Sequence, residues 1–523
     1  MPLTASSLAN AIGAAAENVQ FQSGANVLPR KILLIGTYDP LKTSVVDEVP
    51  VLITSSEDAG DKFEFGFMLH RMAKWAFAGS DGIECWCLPQ AEVAGAQATG
   101  DIDFTGSVPT ENATLNLYVA GEYVPVSVLT TDTADNIATN VVAAITADNT
   151  LPVTAVVNGV TTAQVDFTAK TTGTYGNEID LSFNWGFQQK FPAGVTAAVT
   201  AMTTGSGVPT IADALNGLGT GDDQNENHFT DVIHGYLQDS TTLDSVSSYN
   251  GTGNDFVGNY NKLVARPFRS MNGDVAAGSA GLSALITLGN GRRATDRSNG
   301  VVAVPGSPNH PVEIACCAMG DMAKTNANNA AESYSGHVLP GIIPGAVADR
   351  WTSDYDSRDT AVKAGVSPTI VESGAVVLQN TRTFYHPVGV PVDSNGYASM
   401  RNISILQNVL NNVKVNFSQE KWKGITIVND VTAVTDITAR QKARDVSSVL
   451  DDLQALAIAF EGLSWVYTAE FTISKFQENL SNYISIRAGG TGFDIIMPII
   501  LSGEGGIIDT VVKFDTSLAV LLG

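Results

Sequence analysis

Apolar and polar positions follow two rhythms along this chain, and the changes of rhythm divide it. Near the start, Val19-Gln-Phe21-Gln alternates apolar and polar, Ser23-Gly24 interrupts, and Pro29-Arg30-Lys31 follows. So short an alternation cannot stand alone, but it can add to the edge of another sheet. Residues 1–30 therefore read as an arm. The run Ile32-Leu-Leu-Ile35-Gly36 is continuously apolar, as in a strand buried on both faces of a parallel sheet. A helical rhythm from Phe63 to Phe77 and a second strand over 82–88 complete a β-α-β opening.

From about Ala94 the composition shifts to Thr, Val, Ala, Asn and Gly. Strands are predicted over Thr114–Val119 and Tyr123–Val128 around Ala120-Gly121. Thr133 is placed to cap a helix with Ile137, Val141 and Ile145 on one face. Val153–Val157 and Val160–Phe167 flank Asn158-Gly159, a strong hairpin signal. This block, 94–203, reads as a small β-rich domain inserted into an α/β core and closed by the linker from Met202 to Pro209.

The core pattern then resumes. His228–Leu237 is predicted helical, Asn261–Ala265 a strand, Asp274–Leu288 a helix, Val301–Val304 a buried strand and 311–331 a helix. Gly374–Leu378 and Thr381–Tyr385 follow as a strand pair. One long helix is predicted over Asp436–Phe460, because Ala439, Ala443, Val446, Leu450, Leu453, Ala457 and Phe460 form a continuous stripe that Gly462 stops. Phe493–Leu501 and Ile507–Phe514 read as a terminal hairpin. Pro498 cannot donate to a ladder, which puts its strand at an edge. The fold class expected is α/β within a multi-domain α+β chain. It has a layered, mostly parallel sheet core split over 31–93 and 204–385, the inserted β-rich domain, and a C-terminal domain, 386–523, of long helix plus terminal hairpin.

At 523 residues the chain is too long for one ordinary core. Hydrophobic residues at 44% and charged residues at only 16% exclude a wholly disordered chain. The net charge of −24 leaves no basic face for nucleic acid. A weakly charged, apolar-rich chain suits a subunit that buries much surface against its own copies. Met1 to Gln20 lacks Lys, Arg and a continuous apolar run, so no secretory signal is read, and no stretch is long enough for membrane insertion. Cys85, Cys87, Cys316 and Cys317 have neither zinc nor redox spacing and are expected to be small buried residues made in a reducing cytoplasm.

Chemistry is hard to find. The six histidines are scattered, and His228 and His234 are six apart, off the spacing that puts two ligands on one helix face. Gly217-Leu-Gly219-Thr-Gly221 lacks the Lys-Ser/Thr of a phosphate loop and is followed by two aspartates. Gly278-Ser279-Ala-Gly281 is an incomplete nucleophile elbow inside a predicted helix. Asp354, Asp356 and Asp359 near Arg350 and Arg358 lack the glycine and terminal glutamate of a calcium loop, so ion pairs on a solvated loop are the default. No catalytic constellation remains. The expectation is a non-enzyme without metal or cofactor, against the alternatives of a parallel-sheet enzyme and a non-contractile adhesive particle protein using the insert.

Several segments together resemble contractile phage tail sheath proteins of the Mu-like group, related to the sheaths of contractile injection systems. They are Val19-Gln-Phe21 through Ala25-Asn26 to Lys31-Ile-Leu-Leu-Ile-Gly36, Tyr175-Gly176-Asn177-Glu-Ile-Asp-Leu181, and Lys363-Ala-Gly365-Val-Ser through Asn380-Thr-Arg382-Thr-Phe-Tyr385. The order of long helix then terminal hairpin fits as well. The resemblance implies a virion structural protein, assembled in the host cytoplasm, that polymerises with itself around a tail tube and contracts to drive the tube through the host envelope. Tail tube protein, baseplate and tail terminator are its implied partners. It implies that Val19, Phe21, Val27 and Leu28 of the arm exchange with a hairpin carrying Ile495, Ile496, Ile499, Ile508, Val511 and Val512. That exchange would answer a problem already visible, an alternating arm without a home and an apolar edge without cover. Ser23-Gly24 and Gly489-Gly490 are expected to act as hinges beside the exchanged strands. The same resemblance suggests a tube-facing helix bearing Arg440, Lys442, Arg444, Asp451 and Asp452.

Overall fold

The run at Ile32–Ile35 is fully buried within the strand Lys31–Thr37. It lies inside an eight-stranded sheet whose order across is Ala375–Leu378, Val366–Glu372, Asn299–Ala303, Arg269–Asp274, Asp231–His234, Lys31–Thr37, Glu84–Gln90, Val51–Ile53. The six central strands are parallel and the two edge strands antiparallel. The computed structural model describes residues 25–218, 228–250, 268–389 and 396–504. Two compact units organise them: 27–414 with 501–504, and 415–500 with 25 and 26.

Helices Met68–Ser80 and Pro311–Asn328 pack on one face of the sheet, and both are almost wholly buried. Their backbones approach closely: a Cβ on Gly79 would lie 2.2 Å from the Cys317 carbonyl oxygen, and one on Gly320 would lie 2.7 Å from that of Ala76. The Pro311 carbonyl would likewise be 1.8 Å from a Cβ on Gly273. The first helical region is not continuous over 63–77. It is Ser56–Phe63 and then Met68–Ser80, separated where Glu64 and Gly66 take positive φ of 80° and 81°.

Three further expectations are corrected. Residues 231–234 form a core strand instead of a helix, because their polar members are buried on the sheet. Asp231 pairs with Arg269 with both side chains at 0% exposure, and burial holds His234 neutral with its pKa down at about 4. Residues 381–385 form no strand; only an isolated bridge joins Arg382 to Ser399, and the antiparallel partner of Ala375–Leu378 is Val366–Glu372. The helix of 274–288 begins later, at Gly278, because Arg269–Asp274 is itself a core strand. The predicted strand Asn261–Ala265 lies outside the described residues.

The block after Gln97 has its own hydrophobic cluster. A four-stranded antiparallel sheet (Val195–Thr203, Gln97–Gly106, Gln164–Thr172, Val153–Val157) faces a three-stranded one (Glu122–Val128, Ala113–Val119, Leu181–Phe183) and the helix Ala134–Ala147. Thr133 caps that helix, accepting from the Asn136 N–H, and Ile137, Val141 and Ile145 are buried as their spacing required. Ala120 and Gly121 have φ of 49° and 76°, the left-handed pair a tight two-residue hairpin needs. The second hairpin is looser than expected. Its return strand starts at Gln164, and the Asn158 side chain closes the loop by accepting from the Val160 and Thr161 N–H groups at 2.9 and 3.0 Å.

In the unit 415–500 the predicted long helix is broken. Ile437–Lys442 is a short helix, and Ala443–Arg444 then pairs in parallel with Thr426–Ile427. Asp445 starts a new helix, Val446–Gly462, through a capping box with Ser448. Val449 and Leu453 of that helix pack with Phe476 and Ile484, and Phe417, Trp422 and Phe493 close around them. The strand Phe493–Ile495 pairs antiparallel with Ile484–Ile486; the predicted partner 507–514 lies outside the described residues.

Candidate assembly surfaces

The residues singled out for assembly fall into two groups with different surroundings. Val19, Phe21, Ile508, Val511 and Val512 lie outside the described residues. Val27 is half-buried and Leu28 buried. The Leu28 backbone N–H donates to Asn408 Oδ1 at 2.7 Å, so this residue is tied into its own chain.

Ile495, Ile496 and Ile499 belong to an extended run stitched into the unit 415–500. The Ile496 N–H donates to the Tyr483 carbonyl at 2.7 Å, the Thr472 hydroxyl to that of Pro498 at 2.6 Å, and the Tyr467 N–H to that of Ile500 at 2.8 Å. Ile484–Ile486 and Phe493–Ile495 form a two-stranded sheet, so among the described residues each keeps one side without a ladder. Apolar side chains stand out beside it: Ile496 is 62% exposed, and Ile486 and Ile500 are exposed as well. Such an edge invites another strand. Gly489-Gly490, the expected hinge, lies in the loop joining these two strands, which Arg487 N–H to Gly492 and Gly490 N–H to Arg487 close, both at 2.9 Å.

The five charged residues assigned to one helix are divided among three elements. Arg440 and Lys442 are exposed on the short helix Ile437–Lys442, and Lys442 also lines an open cleft of about 490 Å³ with Thr426, Val428 and Asp436. Arg444 turns inward: it donates to the carbonyls of Ala443 and Lys421 and lies 5.8 Å from the Trp422 ring centre. Asp451 is exposed on Val446–Gly462. Its neighbour Asp452 accepts from Asn416 Nδ2, Trp422 Nε1 and Lys421 Nζ, each at 2.8 to 2.9 Å, and so joins residues 416–422 to the helix.

A buried polar seam, not found from the sequence, fastens the β-rich block to the core. Arg71 is fully buried and makes paired hydrogen bonds to Glu313, from Nε at 2.7 Å and Nη2 at 2.9 Å. Its Nη1 reaches Glu122 on the hairpin at 3.1 Å, and Lys74 donates to the same carboxylate at 2.6 Å. Burial raises the Glu313 pKa to about 7, with Arg71 opposing the shift. His310 stacks on Tyr175 at 3.9 Å and shares a 2.9 Å hydrogen bond with its carbonyl oxygen; burial lowers its pKa to about 3. Nothing in the spacing of 71, 122 and 313 signals this, since the three are brought together only by tertiary packing.

The remaining candidates have ordinary settings. Asp354 caps the helix Tyr355–Lys363 by accepting from the Ser357 N–H, and Asp359 pairs with Lys363 four residues on. All four cysteines are buried and free, and burial pushes the Cys317 thiol up to about 12. Among the described residues no group of three or more His, Cys, Asp or Glu side chains is placed to hold a metal ion, and no helix is long and apolar enough to cross a membrane.

Among the described residues, the two-stranded sheet of Ile484–Ile486 and Phe493–Ile495 leaves an apolar edge uncovered. The chain is 26% identical over 422 residues, 80% of each chain, to the Mu-like prophage FluMu tail sheath protein of Haemophilus influenzae, and is its homologue. No protein-family model matches. Structural likenesses include a sheath tail protein of Desulfitobacterium hafniense (TM-score 0.40, 11% identity, 86% of this chain and 90% of that one). Another is the contracted sheath complex of an extracellular contractile injection system (TM-score 0.45, 8% identity, 98% and 99%). The resemblance to tail sheath proteins read from the sequence holds against the Haemophilus influenzae relative over four-fifths of the chain.

Proposed function

We propose that this chain is the sheath subunit of a contractile phage tail. It polymerises with itself into a helical sheath around a tail tube and contracts to drive the tube through the host envelope. The similarity to a tail sheath protein over four-fifths of both chains carries this reading. Assembly takes place in the bacterial cytoplasm, the product is carried on the virion, and the partners are the tube protein, the baseplate and the tail terminator. The division into arm, split α/β core, inserted β-rich domain and C-terminal domain is part of the proposal.

The exposed edge at 484–500 supports strand exchange, because an uncovered apolar edge is a hazard to a free monomer and an asset to a polymer. A contact of that kind joins two different surfaces and so propagates as a helix. Negative-stain electron microscopy of the purified protein at high concentration tests this. Long hollow tubes of uniform width are expected. Discrete particles at every concentration, with or without added tail tube, would overturn the reading.

A further inference from the structure

We infer that the helix Met400–Phe417 is the anchorage of the N-terminal arm: its polar side chains hold the Leu28 backbone N–H and the Arg30 guanidinium, so a pull on the chain before Val27 is delivered to the core at Leu28 and Arg30. The mechanical role rests on the reading of residues before Val27 as an arm; the contacts themselves do not.

Three observations carry it. Leu28 donates its backbone N–H to Asn408 Oδ1 at 2.7 Å, and the Arg30 guanidinium donates to Gln407 Oε1 and Ser404 Oγ. Gln407 then passes the load inward, donating from Nε2 to the Thr230 carbonyl at 2.8 Å; the Thr230 N–H donates to the Lys31 carbonyl and its hydroxyl accepts from the Lys31 N–H, both at 3.0 Å. Arm root, helix and central sheet are joined in one polar chain.

The geometry repeats. Arg30 lies against 404 and 407 and Leu28 against 408, so the segment runs antiparallel to the helix. Two residues of extended chain span about 6.6 Å and four residues of helix rise about 6.0 Å, so residues 28 and 30 fall beside 408 and 404 of one i, i+4 row. Asn408 donates its own Nδ2 to the Ser404 carbonyl at 2.8 Å, which leaves Oδ1 as the acceptor for a passing backbone. Asn412 repeats the same back-bond to the Asn408 carbonyl at 2.8 Å.

Beside the buried Met400, Ile403, Ile405 and Val409, this helix also buries a polar row. Ser404, Gln407, Asn408 and Asn412 are buried where an amphipathic helix would present aliphatic side chains, and Arg30 is buried with neutral hydrogen-bond acceptors and the Asp231 carboxylate as the charge that opposes its desolvation. Buried guanidinium and amide groups do not maximise stability. Holding a backbone in register gives them a reason.

Hydrogen–deuterium exchange of the full-length monomer tests the anchorage, comparing the natural protein with Asn408→Ala and Asn408→Asp. Amides 27–31 are expected to exchange at least about tenfold faster in the alanine variant while 32–36 are unchanged. The aspartate variant, which keeps an acceptor for Leu28, should retain protection. Equal protection in all three, equal loss in both variants, or loss spreading through 32–36 would overturn the anchorage. Arg30→Met provides the same reading should Asn408→Ala fail to fold. For the mechanical role, tubes of the alanine variant should fragment under shear that leaves natural tubes long, and equal lengths would overturn it. Failure of the natural protein to form tubes would sink the sheath reading, while the exchange result would still decide the anchorage.

Discussion

Asp445 shows how one side chain divides what the apolar rhythm joins. The stripe from Ala439 to Phe460 is unbroken in sequence, yet Asp445 accepts from Ser448 N–H and hydroxyl, from the Ser447 hydroxyl and from the Val431 N–H, and so starts a new helix. A periodic count cannot register a carboxylate that captures backbone donors. Burial alone would raise the Asp445 pKa, but these hydrogen bonds outweigh it and lower the value from 3.8 to about 2. A carboxylate with a depressed folded pKa stabilises fully above its unfolded value and loses that contribution as pH falls through the folded one. Asp445→Ala should therefore cost about 1 kcal/mol at neutral pH. In thermal melts followed by far-ultraviolet circular dichroism, the gap between variant and natural protein should close as pH falls from about 4 to about 2. A gap that persists unchanged at the acid end would contradict this account.

At the scale of elements, legibility followed apolarity. The strand at 31–37, the helix at 134–147 and the tight turn at Ala120-Gly121 were readable because apolar spacing and turn chemistry dictate them. Arg269–Asp274 was not, since Met271 is the one large apolar residue in a strand buried along five of its six positions. Its polar side chains are compensated from elsewhere, Arg269 by Asp231 and Tyr334, and such partners have no signature along the sequence. Helix packing has the same character. Gly79 and Gly320 let two helix backbones meet, and only the crossing explains them. Gly79→Ala gains up to about 1 kcal/mol of helix propensity. The clash with the Cys317 carbonyl should reverse that and leave a net loss of about 1–3 kcal/mol in denaturant unfolding. Gly462→Ala, where a Cβ meets nothing within 4 Å, should be neutral or stabilising. Equal effects at the two sites would show that backbone entropy, and not close approach, governs position 79.

For the whole molecule, the layered parallel sheet and the separate cluster of the β-rich block followed from the alternation of patterns, while the joints between parts did not. Arg71 and Glu313 are 242 positions apart with Glu122 between them, and Leu28 and Asn408 are 380 apart, yet each set forms one connection. Residues proposed for assembly are the hardest to read from a sequence, because a surface for a neighbour would be described by what is missing from it. The arm makes the distinction testable. If Leu28 and Arg30 hold the root, the strand Lys31–Thr37 should stay in the sheet without residues 1–24. Deleting residues 1–24 should leave the circular dichroism and thermal midpoint of the monomer unchanged and abolish tube formation by electron microscopy. Loss of solubility or of helical signal in the deleted protein would place that segment in the subunit's own fold. Normal tubes from it would remove strand exchange through the arm as the link between subunits.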